Sequence, residues 1–377
     1  MVFANHSYIL LEDNSIWSVG DNYNGQLGIL QDVGSKQTPT KILENILDCT
    51  VSEKSGLFID WKGRLIGLGD NTRGQLGLGS LASIYTPTEA IVKNPTTGDP
   101  VVFIAISSGA YHSCAIDEEK NLWVTGDNSL GQIFARSEMY SNWKMVTIKD
   151  KTGNDMKWDD VQCGQYHTML LSEDRRSIYM MGSNLHYELG VGDIGSQGGP
   201  LLVLEALANK TVLRMVKLKN QGLLGDPSVP PVINDGIEYA TGSTPLSDAP
   251  EHRTGVNHFN RIMVVGRTNL ALEMDGTLWA WGIWNNDEYY AWPKKIFENV
   301  IDIKVTGNTL YAHIYNDDRV SNVYRIDIPV YQDEFHRELM NNRKIVVEEN
   351  PFNKIKTITP SLYITIKSVN TDWERIY

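Results

Sequence analysis

Short runs in which apolar or aromatic residues alternate with polar ones recur along the chain, each ending at a glycine or an Asn/Asp-rich turn. A period of two predicts half-buried β-strands. Helical spacing is confined to QDEFHRELMNN, residues 332–342, where Phe335 and Leu339 stand four apart; one short inserted helix is expected there. The strand pattern is also repeated as a unit. An apolar strand, then Gly-Asp-Asn, then Gly-Gln-Leu-Gly appears as WSVGDNYNGQLG around Gly20, LIGLGDNTRGQLGLG around Gly69, LWVTGDNSLGQI around Gly126 and IYMMGSNLHYELGVG around Gly182. Later copies decay: LWAWGIWNND carries Gly282, IEYATGSTP carries Gly242, VYRID ends at Asp327 in the same phase, and WERIY at the C-terminus is a last echo.

A second signature keeps phase with the first. His6-Ser7, His112-Ser113 and His167-Thr168 each stand about fourteen residues before a repeat glycine and run into a polar turn. In ALEMDGTLWAWG a two-residue hairpin turn at Asp275-Gly276 is expected. Each unit therefore reads as strand, hairpin, strand, glycine turn, then a Pro-containing outer segment such as QTPTKIL or YTPTEAIV. Steps of 49, 57, 56, 60, 40 and 45 residues between successive marks suit one propeller blade. Small sheets of this kind cannot bury both faces alone, and a closed ring stacks them without exposed ends. The expected fold is all-β: a single β-propeller over residues 1–377 with about seven four-stranded blades and a Pro/Gly-rich degenerate blade or insertion at 219–262. Counting both Gly242 and WERIY would make eight.

Composition narrows the partners. The chain has 377 residues, 41% hydrophobic and 21% charged, with a formal net charge of −12, which opposes binding to nucleic acid or anionic membrane. Cys49, Cys114 and Cys163 form no CxxC pair, as expected of reduced, buried thiols. The start, MVFANHSYILLEDNSIW, lacks a secretion signal, and no apolar run is long enough to span a membrane. A protein made in the cytoplasm is expected.

The paired signals HSxxI and WxxGDNxxGQLG resemble the regulator of chromosome condensation repeat family over about residues 1–195, and GRTNLALEMDGTLWAWG extends the likeness to 266–282. The resemblance implies a seven-bladed propeller and several unrelated functions: guanine-nucleotide exchange on chromatin, ultraviolet reception and inhibition of β-lactamases. The Gly-Trp-Arg-His-Thr motif of the photoreceptor is missing from this sequence, as is the basic tail suited to nucleosomes.

Candidate chemistry is sparse. Gly20, Gly69, Gly126, Gly182 and Gly282, with His6, His112 and His167, read as structural repeat positions, since blade symmetry would hold the histidines apart. No metal or cofactor is expected. GDNYNG and GDNTRG lack the rest of a calcium loop, and GLGDNTRG lacks the Gly-Lys-Ser/Thr of a phosphate loop. The acid pairs Asp159-Asp160, Asp287-Glu288, Asp317-Asp318 and Glu348-Glu349 have no neighbouring nucleophile. The segment WNNDEYYAWPKK is the preferred binding candidate, with Trp284, Tyr289, Tyr290 and Trp292 expected in a loop, while Trp279 and Trp281 are expected to pack. The expected function is non-enzymatic binding of a protein or surface glycan, as a structural or receptor-recognition component of a larger assembly such as a bacterial virus particle. The rivals are a nucleotide-exchange regulator of a small GTPase and a carbohydrate-active enzyme.

Overall fold

Six sheets of one design follow one another in the computed structural model, which describes residues 6–30, 34–134, 139–150, 152–191, 197–207, 258–285, 288–306, 309–315 and 321–327, and short stretches of backbone at 210–213, 216–217, 238–239, 345–347, 355–358 and 364–366. The second sheet shows the plan. Its strands Ile46–Val51, Ser55–Asp60, Leu65–Gly69 and Ile84–Ala90 pair in chain order, each antiparallel to the next. The third sheet repeats it with Phe103–Ser108, His112–Asp117, Leu122–Gly126 and Tyr140–Val146. The fourth uses Trp158–Cys163, His167–Ser172, Ser177–Gly182 and Gln197–Leu207, and adds Lys210–Leu213. Phe259–Val265, Thr268–Glu273, Leu278–Asn285 and Glu288–Phe297 make the fifth, and Val300–Thr306, Thr309–Tyr315 and Ser321–Asp327 a three-stranded sixth. The first sheet joins distant parts of the chain: Ile355–Ile358 pairs with His6–Leu11, ahead of Ile16–Asp21 and Ser35–Leu43. The architecture is all-β, and the sheets are blades of a propeller.

The repeat phase read from the sequence is the strand register. His6 lies opposite Gly20, Ser55 opposite Gly69, His112 opposite Gly126, His167 opposite Gly182 and Thr268 opposite Gly282. Thr309 lies opposite Asp327, so the eroded sixth copy is in phase as well. The outer strands carry Pro39 and Pro87, which an edge tolerates because no further strand needs their missing N–H. Between blades the alternating residues form separate cores. Leu57, Ile59 and Leu76 meet Phe103, Trp123 and Trp143; Ile116 and Val124 meet Trp158 and Val161; Met180 and Leu189 meet Phe259, Trp279 and Trp281. Trp279 and Trp281 thus pack, as expected. Their indoles donate to Glu273 Oε1 at 2.8 Å and Glu188 O at 3.1 Å, so burial leaves neither N–H unpaired.

Two details differ from expectation. The hairpin at Asp275-Gly276 is a longer connection, closed by Glu273 N donating to Thr277 O at 2.9 Å, and of the two residues Gly276 alone takes positive φ, +87°. The reason lies in the Asp275 side chain, which accepts from Thr277 N at 2.8 Å and so favours a wider turn. Residues 259–262, expected within the insertion, belong to the first strand of the fifth sheet. Gly242, most of 219–262, the helix at 332–342 and WERIY lie outside the described residues. Among the described residues no helix is long and apolar enough to cross a membrane.

Candidate functional site

The recurring GDNxxGQLG segment is a turn that hydrogen-bonds to itself. Asn22, Asn71, Asn128 and Asn184 are fully buried, and the Oδ1 of each accepts a backbone N–H five residues on, from Leu27, Leu76, Ile133 and Leu189, at 2.8–3.0 Å. The Nδ2 groups of Asn22, Asn71 and Asn128 donate to later carbonyls, of Ile29, Ser80 and Phe134. Gln26, Gln75 and Gln132 each accept from a backbone N–H two residues before them and donate to Asp21, Asp70 and Asp127. The conspicuous oxygens are therefore engaged in holding the loop. In the fourth blade Ser183 and Glu188 replace the Asp and Gln. Glu188 keeps the backbone bond, from His186 N at 2.7 Å. Burial raises its carboxyl, but bonds from His186 and the nearby His167 outweigh that and hold it below the usual carboxylate range.

These turns are tied to a second set of loops. The residue before each histidine-equivalent position, Lys54, Tyr111, Tyr166 or Arg267, accepts at its carbonyl from Asp70, Asp127, Ser183 or Ile283 N. Loops between first and second strands thereby lie beside the glycine turns at one end of the second to fifth sheets. There Tyr111 and Tyr166 stand 6.4 Å apart at 35°, and Arg267 Nε donates to Gln165 Oε1 at 3.0 Å. Burial, with the Glu53 carboxylate second, pushes the Tyr111 hydroxyl up to about 12; the same two causes raise that of Tyr166. Glu53 therefore acts on both rings. The result is a face where two half-buried tyrosines from adjacent blades sit among an acid, an amide and a guanidinium.

The three histidines are buried at separate blade junctions and do not converge. His112 Nε2 meets Thr168 Oγ1 at 3.0 Å, and His167 Nε2 meets Asn269 Oδ1 at 2.8 Å, in each case the residue after the equivalent position of the next blade. For His6 that position is Gly56, whose missing side chain admits the Tyr8 ring. Burial pulls His6 down to about 3 and His167 to about 4, the latter despite Glu188. A depressed folded value means that the unfolded chain takes the proton first. The neutral imidazole's contribution is then present above pH 6.5 and lost as pH falls toward 4, by up to roughly 3 kcal/mol for His167. His167→Asn is expected to be less stable than wild type at pH 7.5, with that gap closing by pH 4.5 in urea unfolding. A gap that stays constant would contradict the assignment.

The four aromatic candidates occupy paired strands where a loop was expected: Ile283 lies opposite Tyr289 and Gly282 opposite Tyr290. Their alternation allows a hairpin arm to continue past Gly282. The structure also divides them. Tyr289, 43% exposed, stacks on His186 at 6.4 Å and 26° and meets Tyr187 edge-on, which puts it beside the fourth blade's glycine turn. Trp284 and Tyr290 stack on each other at 5.7 Å and pack with Met263, Ile296 and Phe297 toward the sixth blade. Trp292 is half-buried. Of the four, Tyr289 is the one whose ring contacts reach the fourth blade's glycine turn. Of the acid pairs, Asp159 binds Lys120 at 3.0 Å and Arg175 at 2.9 Å. Its neighbour Asp160 accepts from Val161 N, and burial raises its carboxyl to about 7. Asp287, Asp317-Asp318 and Glu348-Glu349 lie outside the described residues. Tyr111, Tyr166, Glu53, Gln165 and Arg267 were not singled out from sequence; the available signal was their constant place just before the histidine column.

Two models of the regulator of chromosome condensation (RCC1) repeat match this chain, one at residues 4–26 and 103–132 and the other at 62–116. RCC1 repeats are thus matched in the first third of the chain. Among curated proteins it is 29% identical over 261 residues to the probable E3 ubiquitin-protein ligase HERC6 of Homo sapiens, covering 66% of this chain but 24% of that protein. This chain thus spans about a quarter of that relative's length. Among solved structures, human WBSCR16 aligns at a TM-score of 0.57 and 17% identity, covering 80% of this chain and 67% of that one. Yeast RCC1 (Prp20), solved with Kap60 bound, aligns at 0.55 and 15% identity, covering 90% and 68%. These structural likenesses speak for the RCC1 propeller fold.

Proposed function

We propose that this RCC1-repeat propeller is a non-catalytic protein-binding module that works through the loop face around Tyr111 and Tyr166. The observation that carries the reading is their convergence from adjacent blades beside Glu53, Gln165 and Arg267. Tyrosine offers a broad amphipathic surface at small entropic cost, and arginine a planar set of donors, the combination that dominates protein hot spots. The neighbouring Asp70 and Asp127 carboxylates accept from Gln75 and Gln132 within their turns, which favours recognition over proton transfer as their use. Yeast RCC1 captured with Kap60 is a precedent for a chain of this fold meeting another protein. A place in a virus particle gains nothing from this geometry.

The test is affinity capture from the native source with the intact chain. Tyr111→Ala combined with Tyr166→Ala is expected to weaken recovery of the specific partner about tenfold or more. Trp61→Ala, at an exposed turn on the opposite end of the second sheet, is expected to leave it unchanged. Equal recovery by the double variant and wild type would refute the assignment, and stimulated nucleotide release from a purified small GTPase would replace a binding-only role with exchange.

A further inference from the structure

The junction of the third and fourth blades differs in one respect from the two other junctions that carry a histidine. At the first junction the inward positions hold His6, Tyr8 and Val51, and at the fourth they hold His167, Met169 and Val264, so the imidazole has two apolar companions. Between blades three and four the same positions hold His112, Cys114 and Cys163. Both companions have become thiols. All three residues are buried, at 0%, 0% and 1% exposure, and one ligand atom from each lies within 4.8 Å of the others. Neither cysteine is in a disulfide.

The surrounding bonds prepare the imidazole. Thr168 Oγ1 has one proton and gives it to Gln132 O at 2.7 Å, so toward His112 Nε2, at 3.0 Å, it must accept. That places the ring proton on Nε2. The lone pair is then on Nδ1, which has no oxygen or nitrogen partner among the described residues. Imidazole ligands of metals are oriented in this way, by donating their second N–H to an outer acceptor. Cys163 is positioned in turn by its backbone N–H on Ser107 Oγ at 2.8 Å and its sulfur at 3.3 Å from Ser107 O.

We propose that His112, Cys114 and Cys163 form a buried binding site for copper(I). Two sulfurs and one imidazole are the soft donor set that selects this ion, and three donors suit its low coordination number better than the tetrahedral demand of structural zinc. Binding releases the thiol protons as the sulfurs become thiolates. The site would bridge adjacent blades, one contributing strand His112–Asp117 and the other strand Trp158–Cys163. It lies inside the ring wall and does not rest on the loop-face function.

The test uses the full chain, reduced and kept free of oxygen, with copper(I) offered as its bicinchoninate complex. Wild type and Cys49→Ser are each expected to withdraw one copper per chain. Cys163→Val, which installs the residue that the equivalent junctions carry as Val51 and Val264, is expected to lose affinity by roughly a hundredfold or more. X-ray absorption of the wild-type complex should show two sulfurs and one nitrogen. Failure of wild type to take copper, undiminished uptake by Cys163→Val, or an absorption signature without sulfur would overturn the proposal.

Discussion

Gly126→Ala is expected to destabilise the protein by roughly 3–5 kcal/mol, read as a lowered urea midpoint at unchanged slope. Two costs combine there. Gly126 has φ +98°, beyond the left-handed well that other residues occasionally enter. Its missing side chain also leaves room for two backbone segments. A Cβ would fall inside contact distance of the Tyr111 carbonyl oxygen, 2.8 Å from His112 Cα and 3.2 Å from Gln75 Cα in the preceding blade's glycine turn. None of these is a flexible tip that can swing aside. The effect should exceed that at Gly153, where φ is +87° and nothing lies within 4 Å of a built Cβ. Gly153→Ala isolates the conformational cost and is expected to lose about 1 kcal/mol. Equal losses at the two positions would mean that close approach of neighbouring blades is not what the repeat glycine serves.

That crowding explains what was legible in the sequence. The glycine and histidine columns recur because each register pair sits at a crowded contact, and the chain must solve the same steric problem every time. Period-two alternation exposed the strands for a similar reason, since each inward face packs against the next blade. The loop face has no such regularity. Lys54, Tyr111, Tyr166 and Arg267 share a backbone role, their carbonyls accepting from the glycine turn, while their side chains are free to differ. Only the assembled ring brings Tyr111 and Tyr166 together from 55 residues apart, as their numbers show. The segment at 284–292 misled in the opposite sense: its polar residues suggest a loop, but Ile283 opposite Tyr289 carries the ladder on and divides the aromatics between two neighbours. The thiols at the third junction were visible singly. Their meeting depends on a register between blades that no local pattern carries.

Asn71→Asp is expected to cost about 3–5 kcal/mol at neutral pH, although it changes one atom's chemistry and almost no volume. Asn71 uses both ends of its amide: Oδ1 accepts from Leu76 N at 2.9 Å and Nδ2 donates to Ser80 O at 2.7 Å. A carboxylate satisfies the first bond and turns the second into two oxygens facing each other in a fully buried site. Desolvation and that repulsion both raise the new carboxyl's folded value above its unfolded 3.9. A raised folded value gives stability that is present below the unfolded value and lost as pH rises through the folded one. The deficit of Asn71→Asp against wild type should therefore be largest near pH 7 and shrink toward pH 4, where the protonated acid can again donate to Ser80 O. Asn71→Ala, which lacks both bonds and cannot titrate, should show no such recovery. The comparison separates the two uses of the residue: if the Asn71→Asp deficit is the same at pH 4 and pH 7 while Asn71→Ala loses more, the bond to Ser80 O contributes nothing, and the turn is held by its acceptor side alone.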